Sequence, residues 1–166
     1  MTLRRTRALP AQQRGDGAAA LAAAVTLLAA RDFAPRELQA KLTSRGFEAA
    51  AAQAAIEELT ARGALNEARY AENYVTWHAN RGQGPVRIAA ELRRQGIPEA
   101  LIEPALTRGP DWPALARKLC RAKFGPAVPG NWREKARQMR FLQYRGFSSD
   151  HIRAATGADP DWTEGP

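Results

Sequence analysis

Gly84-Pro85-Val86-Arg87-Ile88-Ala89-Ala90-Glu91-Leu92-Arg93-Arg94-Gln95-Gly96-Ile97 decides the fold, because the pattern that closes it returns on both sides at a fixed interval. Leu42, Leu92 and Leu142 stand 50 positions apart, as do Gly46, Gly96 and Gly146, and Phe47, Ile97 and Phe147. Leu-x-x-x-Gly followed by an apolar residue reads as a helix ending. Glycine takes the left-handed conformation that stops a helix at little steric cost, and the next apolar residue folds back onto the leucine of the last turn. The expected contacts are therefore Leu42 with Phe47, Leu92 with Ile97 and Leu142 with Phe147. Three residue classes recurring in one register imply three copies of one structural unit.

The flanking sequence supports helices between these stops. In the first copy, Ala18–Arg31 has Leu21, Val25 and Leu28 at i, i+4 and i+7, the spacing of one helix face. Ala34–Arg45 follows with Pro35 in its first turn, where a missing N–H costs nothing, and Glu48–Arg62 ends at Gly63. In the second copy Asn66 is a good N-cap, and Tyr70, Tyr74 and Trp77 form an aromatic face expected to pack in the core. The central helix turns Ile88, Ala89 and Leu92 inward and leaves Arg87, Arg93 and Arg94 for solvent or a partner. Pro98 is expected to start the next helix, with Leu101, Ile102 and Leu106 as its apolar set and Pro104 kinking or shortening it. In the third copy Asp111-Trp112-Pro113 opens a helix whose apolar face is Leu115, Leu119 and Ala122, with Arg117, Lys118 and Arg121 facing away. After a loop at 125–131, Trp132, Ala136 and Met139 carry the apolar spacing, and Arg133, Arg137 and Arg140 make a second basic stripe. Ser148, Ser149 or Asp150 caps a last helix carrying Ile152.

Composition points the same way. Of the 166 residues 45% are hydrophobic but only 7% aromatic, the profile of an Ala-rich helical chain, and no long run of alternating β-branched and aromatic residues suggests a strand. The expected fold class is all-α, with repeats at 18–65, 66–110 and 111–157, a disordered basic arm at 1–17 and an acidic tail at 158–166.

The formal charge of +8 is unevenly spread: residues 111–157 hold ten basic and three acidic side chains, whereas 18–65 hold five of each. Such a local excess suits an anionic partner, nucleic acid or an acidic protein groove. Cys120 is the only cysteine, which excludes an internal disulfide framework, and it is expected to fill core. The apolar run Ala18–Ala30 is 13 residues long, too short for the roughly 20 of a membrane span, and no Ala-x-Ala cleavage pattern ends it. A soluble cytoplasmic protein without membrane contact is expected.

Residues that carry chemistry are missing in informative ways. The chain has no Gly-x-x-x-x-Gly-Lys-Ser/Thr phosphate loop, His78 and His151 lack metal-ligand spacing, and no Cys/His pair suggests a nucleophile. Glu57, Glu58 and Glu91 read as exposed helix charges rather than acid–base groups. No enzyme activity, cofactor or metal is expected.

Three segments carry a specific resemblance: Leu65-Asn-Glu-Ala-Arg-Tyr-Ala-Glu-Asn-Tyr-Val75, the central Gly84–Ile97 stretch, and Arg140-Phe-Leu-Gln-Tyr-Arg-Gly-Phe-Ser148. With the first copy included, residues 18–157 resemble RecX, the bacterial regulators of the recombinase RecA. The sequence departs from the family's pattern at Glu67, Ala68, Gln83 and Pro104, all in the second copy. The resemblance implies three tandem three-helix repeats in an elongated, curved array that binds the groove of the RecA–DNA filament and limits its extension and activity in recombination, DNA repair and the SOS response. It implies RecA and the RecA–single-stranded DNA filament as partners, with direct weak DNA binding also allowed, and a monomer in the cytoplasm. The candidate partner-binding residues are Arg87, Arg93, Arg94, Arg117, Lys118, Arg121, Arg133, Arg137 and Arg140. The alternative is a helical protein acting directly on DNA through a helix in the major groove. Against it, Glu48–Arg62 and Pro98–Leu106 carry few of the Arg, Asn and Gln side chains that read base edges.

Overall fold

The computed structural model describes residues 10–127 and 129–157, and the regular structure among them is entirely helical. The helices are α1 (Ala11–Arg14), α2 (Gly17–Leu28), α3 (Pro35–Ser44), α4 (Ala49–Ala61), α5 (Glu67–Asn80), α6 (Pro85–Arg94), α7 (Glu99–Thr107), α8 (Trp112–Phe124), α9 (Trp132–Arg145) and α10 (Ser149–Thr156). After α1 they form three tandem sets of three: α2–α4, α5–α7 and α8–α10. By internal contacts the chain has two compact bodies. One holds the described residues through Tyr70 together with Gln95–Ile97; the other holds Ala71–Arg94 and Pro98 onward. The division falls inside α5. Most of the expected N-terminal arm and the acidic tail lie outside the described residues, but Ala11–Arg14 is a helical turn rather than disordered chain. Its Arg14 carbonyl accepts a 2.7 Å bond from the Glu48 N–H.

In the first body α2 packs mainly on α4, and the residues that meet are small: Ala20 and Ala24 from α2, Ala51, Ala52 and Ala55 from α4. This corrects the expected α2 face. Ala20, Ala24 and Leu27 are buried, Leu21 and Leu28 only partly so, and Val25 is 50% exposed. Both sets have the same i, i+4, i+7 spacing in a uniformly apolar run. Alanine allows the closer helix approach, so its stripe turns inward. Asp16 caps α2, its carboxylate accepting from the Ala18 and Ala19 N–H groups, and the helix stops at Leu28, short of the expected Arg31. The segment after it turns to bury Phe33, over which the Arg31 guanidinium lies at 3.7 Å.

The recurring helix endings have backbone form. Gly46, Gly96 and Gly146 have φ of 102°, 85° and 85°. The Phe47 and Phe147 N–H groups donate to the Leu42 and Leu142 carbonyls at 3.2 and 3.1 Å, and all three leucines are fully buried.

These turns also receive a neighbouring helix, which sequence reading did not foresee. In the second body the Gly84 and Val86 N–H groups donate to the Arg145 and Gly146 carbonyls at 2.8 and 3.0 Å. The positive start of α6 is thus seated on the negative end of α9, and each satisfies backbone groups the other helix leaves unpaired. Gly84 is needed for proximity: a Cβ there would lie 2.3 Å from the Gly146 oxygen. A Cβ on Gly146 would in turn lie 2.3 Å from that of Arg87. In the first body the equivalent glycine, Gly96, is met by the Arg36 side chain of α3, whose Nε would lie 2.7 Å from any Cβ on that glycine.

Other expectations in the second body are corrected. Pro98 is the N-cap of α7 rather than its first residue, and α7 runs through Pro104 to Thr107, one residue beyond the expected end. Pro104 is exposed, and its carbonyl still accepts from the Arg108 N–H at 3.0 Å. On α8 the buried side chains are Trp112, Ala116 and Cys120; Leu115 and Leu119 are partly buried and Ala122 is exposed. Asp111 caps α8 and Asn131 caps α9 through 2.9 and 3.0 Å bonds, and Ser148 is the residue that caps α10.

Candidate functional site

The basic residues fall into two classes by their company. In the first two helix sets six arginines are paired: Arg31 with Glu37, Arg62 with Glu58, Arg69 with Asp32, Arg87 with Glu91, Arg93 with Glu99 and Arg108 with Glu72. Arg93 is held by two bonds, its Nε and Nη2 donating to the two Glu99 oxygens at 2.7 and 2.5 Å. The hydrogen bond from Arg93 is the main cause holding the Glu99 carboxyl below its usual range. Arg87 and Arg93, expected to be available to a partner, are thus engaged with carboxylates, and Arg94 also has an interaction within the chain. The Arg87–Glu91 pair was legible as an i, i+4 spacing; the Arg93–Glu99 pair depends on the turn between α6 and α7.

On α8 and α9 the pattern reverses. Among the described residues Arg117, Lys118, Arg121, Arg133, Arg137 and Arg140 form no salt bridge, although Glu134 lies on the same helix as the last three. All but the partly buried Arg117 are exposed. Asn131 and Glu134 are occupied with the start of α9, the Glu134 carboxylate accepting from the Gly130 N–H at 3.0 Å.

Five of the six cations, all but Lys118, border hollows. Arg117 and Arg121 border one together with the buried Gln138 and the end of α10, and Arg137 borders a second that shares Gln138. Arg133 and Arg140 flank an open groove along α9 floored by Ala136 and Met139. Trp132, expected on the apolar face, stands at the end of this groove and is 41% exposed.

Sequence reading missed a cation–aromatic cluster joining α8 to α9. Phe124 and Phe141 meet edge to face at 5.4 Å, with Lys123 4.5 Å and Arg145 4.7 Å from the Phe141 centroid and Arg137 5.7 Å from that of Phe124. Arg145 also donates to the Gly82 carbonyl at 3.2 Å. Part of the third set's positive charge therefore holds the fold together.

The aromatic face of α5 divides. Tyr70 is buried, Tyr74 partly so, and Trp77 is 50% exposed with the Arg81 guanidinium 3.5 Å over its ring. Tyr74 stacks on His78 at 3.9 Å and donates to Glu91 at 2.8 Å, while Arg87 donates to the same carboxylate at 3.1 Å. Glu91 is thus half-buried and bonded, not the exposed charge expected. Burial pushes its carboxyl pKa up, but these two hydrogen bonds and the charges of His78 and Arg87 together hold it below the usual range. Among the described residues no group of His, Cys, Asp and Glu is placed to hold a metal, and no helix is long and apolar enough to cross a membrane.

Comparison with known proteins follows the three sets. Sequence models of the first, second and third three-helix domains of RecX match residues 20–59, 66–106 and 111–156. The chain is similar to a Regulatory protein RecX of Halorhodospira halophila, 44% identical over 146 residues that span 87% of this chain and 91% of that protein. One from Stenotrophomonas maltophilia is 42% identical over 139 residues, 83% of this chain and 85% of the relative. A crystal structure of regulatory protein RecX shares the fold with a TM-score of 0.74 at 23% identity, over 86% of this chain and 72% of the other.

Proposed function

The chain belongs to the RecX family, and from that premise we propose that it is a non-enzymatic negative regulator of RecA, seated in the groove of the RecA–DNA filament and limiting its extension and activity in recombination and repair. The observation that carries this reading is the contrast in charge pairing. Six cations on α8 and α9 are left without carboxylate partners, while six arginines of the preceding two sets are paired and Arg45 and Arg81 are not. Paired surface charges add little long-range field; an unpaired cluster attracts an anionic groove from a distance and speeds encounter. Arg117, Lys118, Arg121, Arg133, Arg137 and Arg140 are the proposed contact residues. Arg87, Arg93 and Arg94 join them only where the filament competes with their present interactions.

On this reading the protein acts as a monomer in the cytoplasm, needs no cofactor and touches DNA mainly as part of the filament. Titrated into RecA hydrolysing ATP on single-stranded DNA, it should reduce the rate progressively without hydrolysing ATP itself. An unchanged RecA rate, with binding to naked duplex DNA instead, would replace this reading with that of a direct DNA binder.

A further inference from the structure

Gln138 and Thr156 are polar side chains that the fold of the third set buries. Thr156 donates to the Ile152 carbonyl at 2.8 Å. Gln138, only 7% exposed, has no hydrogen-bond partner for its carboxamide among the described residues. Buried amides without partners are rare, because the cost of stripping water from them is not returned. The one side-chain atom there that is both sealed from solvent and unpartnered is His151 Nδ1, so the Gln138 amide opens onto the hollows that the residue borders.

The two hollows differ in charge. Arg137 borders one of them, but so does the Glu134 carboxylate. Arg117 and Arg121 border the other, where no carboxylate stands among the described lining residues. These two arginines are four positions apart on α8, which makes them neighbours on one helix face, where like charges repel. Arg117 is also partly buried, and neither has a salt bridge among the described residues. The hollow measures about 230 Å³, against the roughly 30 Å³ that a water molecule takes up, so a polyatomic ion fits inside.

We propose that this hollow between α8, α9 and the end of α10 is an oxyanion site for a phosphate or phosphate monoester. Two guanidiniums match the two charges of such a group and its several acceptor oxygens, and the Gln138 amide N–H donates to another oxygen. A carboxylate, with a single charge and two oxygens, would leave one of the arginines uncompensated. The proposal goes beyond the filament reading and does not depend on it, since the ligand binds the chain alone. It also gives Arg117 and Arg121 a different role from Arg133 and Arg140, which flank the separate groove on α9.

The test is calorimetric titration of the full chain with inorganic phosphate at constant ionic strength, comparing the parent with Gln138→Met, Arg117→Gln, Arg121→Gln and the control Lys41→Gln. Methionine keeps the length of the buried side chain without its amide, and Arg121 is exposed, so its replacement leaves the core intact. The parent should bind one phosphate per chain. Each of the three site variants should weaken that binding by about tenfold or more, the loss of a charge-assisted contact, and the control should match the parent. A parent that shows no saturable binding would overturn the site, as would an equal loss in Lys41→Gln, which would reduce the effect to diffuse charge. Competition by short DNA strands then identifies the source. Displacement by a 5′-phosphorylated strand but not by its unphosphorylated twin supports the site with a strand end as ligand, and displacement by neither supports it with a free phosphate. Equal displacement by both would show that the hollow follows the phosphodiester backbone, and would overturn the monoester assignment.

Discussion

At the scale of single residues, two glycines that look alike in sequence do different physical work. Gly63 has φ of 68° and open space where a Cβ would go, so alanine there meets only the strain of the left-handed region, about 1 kcal/mol. Gly84 has no such backbone demand. Its Cβ would instead strike the Gly146 carbonyl and the Phe147 nitrogen at 2.3 and 2.5 Å, and neither can move without breaking the α6–α9 docking. Gly84→Ala should therefore cost more than Gly63→Ala, about 2–3 kcal/mol in denaturant unfolding. Equal losses in the two variants would mean that the close approach is not maintained in solution. Gly46, Gly96 and Gly146 announced helix ends through their spacing, but Gly84 read only as a break. The sequence could not show what it approaches, because its neighbour is 62 positions away.

At the scale of helices, local rules located the elements and often misplaced their faces. Caps and stops are short-range chemistry, so Asn66 and Gly146 were readable where they stand. Which stripe of α2 or α8 turns inward is decided by the helix it packs against, and an alanine stripe beside a leucine stripe gives no local signal. The aromatic face of α5 shows the same limit: Tyr74 is drawn toward α6 by Glu91, while Trp77 remains outside. Tyr74→Phe removes one of the hydrogen bonds that depress the Glu91 pKa and should cost about 1–2 kcal/mol near neutral pH, since the acceptor is charged but only partly buried. A carboxyl depressed in the folded state contributes stability above its unfolded pKa, near 4.5, and loses it as pH falls through the lower folded value. The parent and Tyr74→Phe unfolding curves should thus converge on acidification across that window. A difference independent of pH would show that the phenol stabilises by packing rather than through Glu91.

At the scale of the molecule, the three-fold helical plan and the regional charge excess were both visible in the sequence, whereas the pairing of individual charges was not. Ten basic residues in 111–157 marked the region, but only the structure shows that Lys123 and Arg145 lie over Phe141, that Arg145 also bonds the Gly82 carbonyl, and that Arg137 borders the same aromatic pair. It likewise shows Arg87 and Arg93 joined to carboxylates, so positive charge on an outward helix face is a poor measure of charge available to a partner. The central claim is that location, not total charge, drives binding to the RecA–DNA filament. Two triple charge reversals test it: Arg133, Arg137 and Arg140 to Glu on α9, and Lys41, Arg62 and Arg108 to Glu elsewhere. Both change the net charge equally at exposed positions. The decisive measurement is filament binding, read by inhibition of RecA ATP hydrolysis across a salt series, with helicity checked in both variants. The α9 variant should inhibit far less at low salt and converge toward the parent at high salt, while the control stays close to the parent throughout. If the three arginines meet phosphates, the salt slope should fall by about three, one for each lost contact. Equal inhibition by parent and α9 variant at every salt concentration, or an equal defect in the control, would contradict the account.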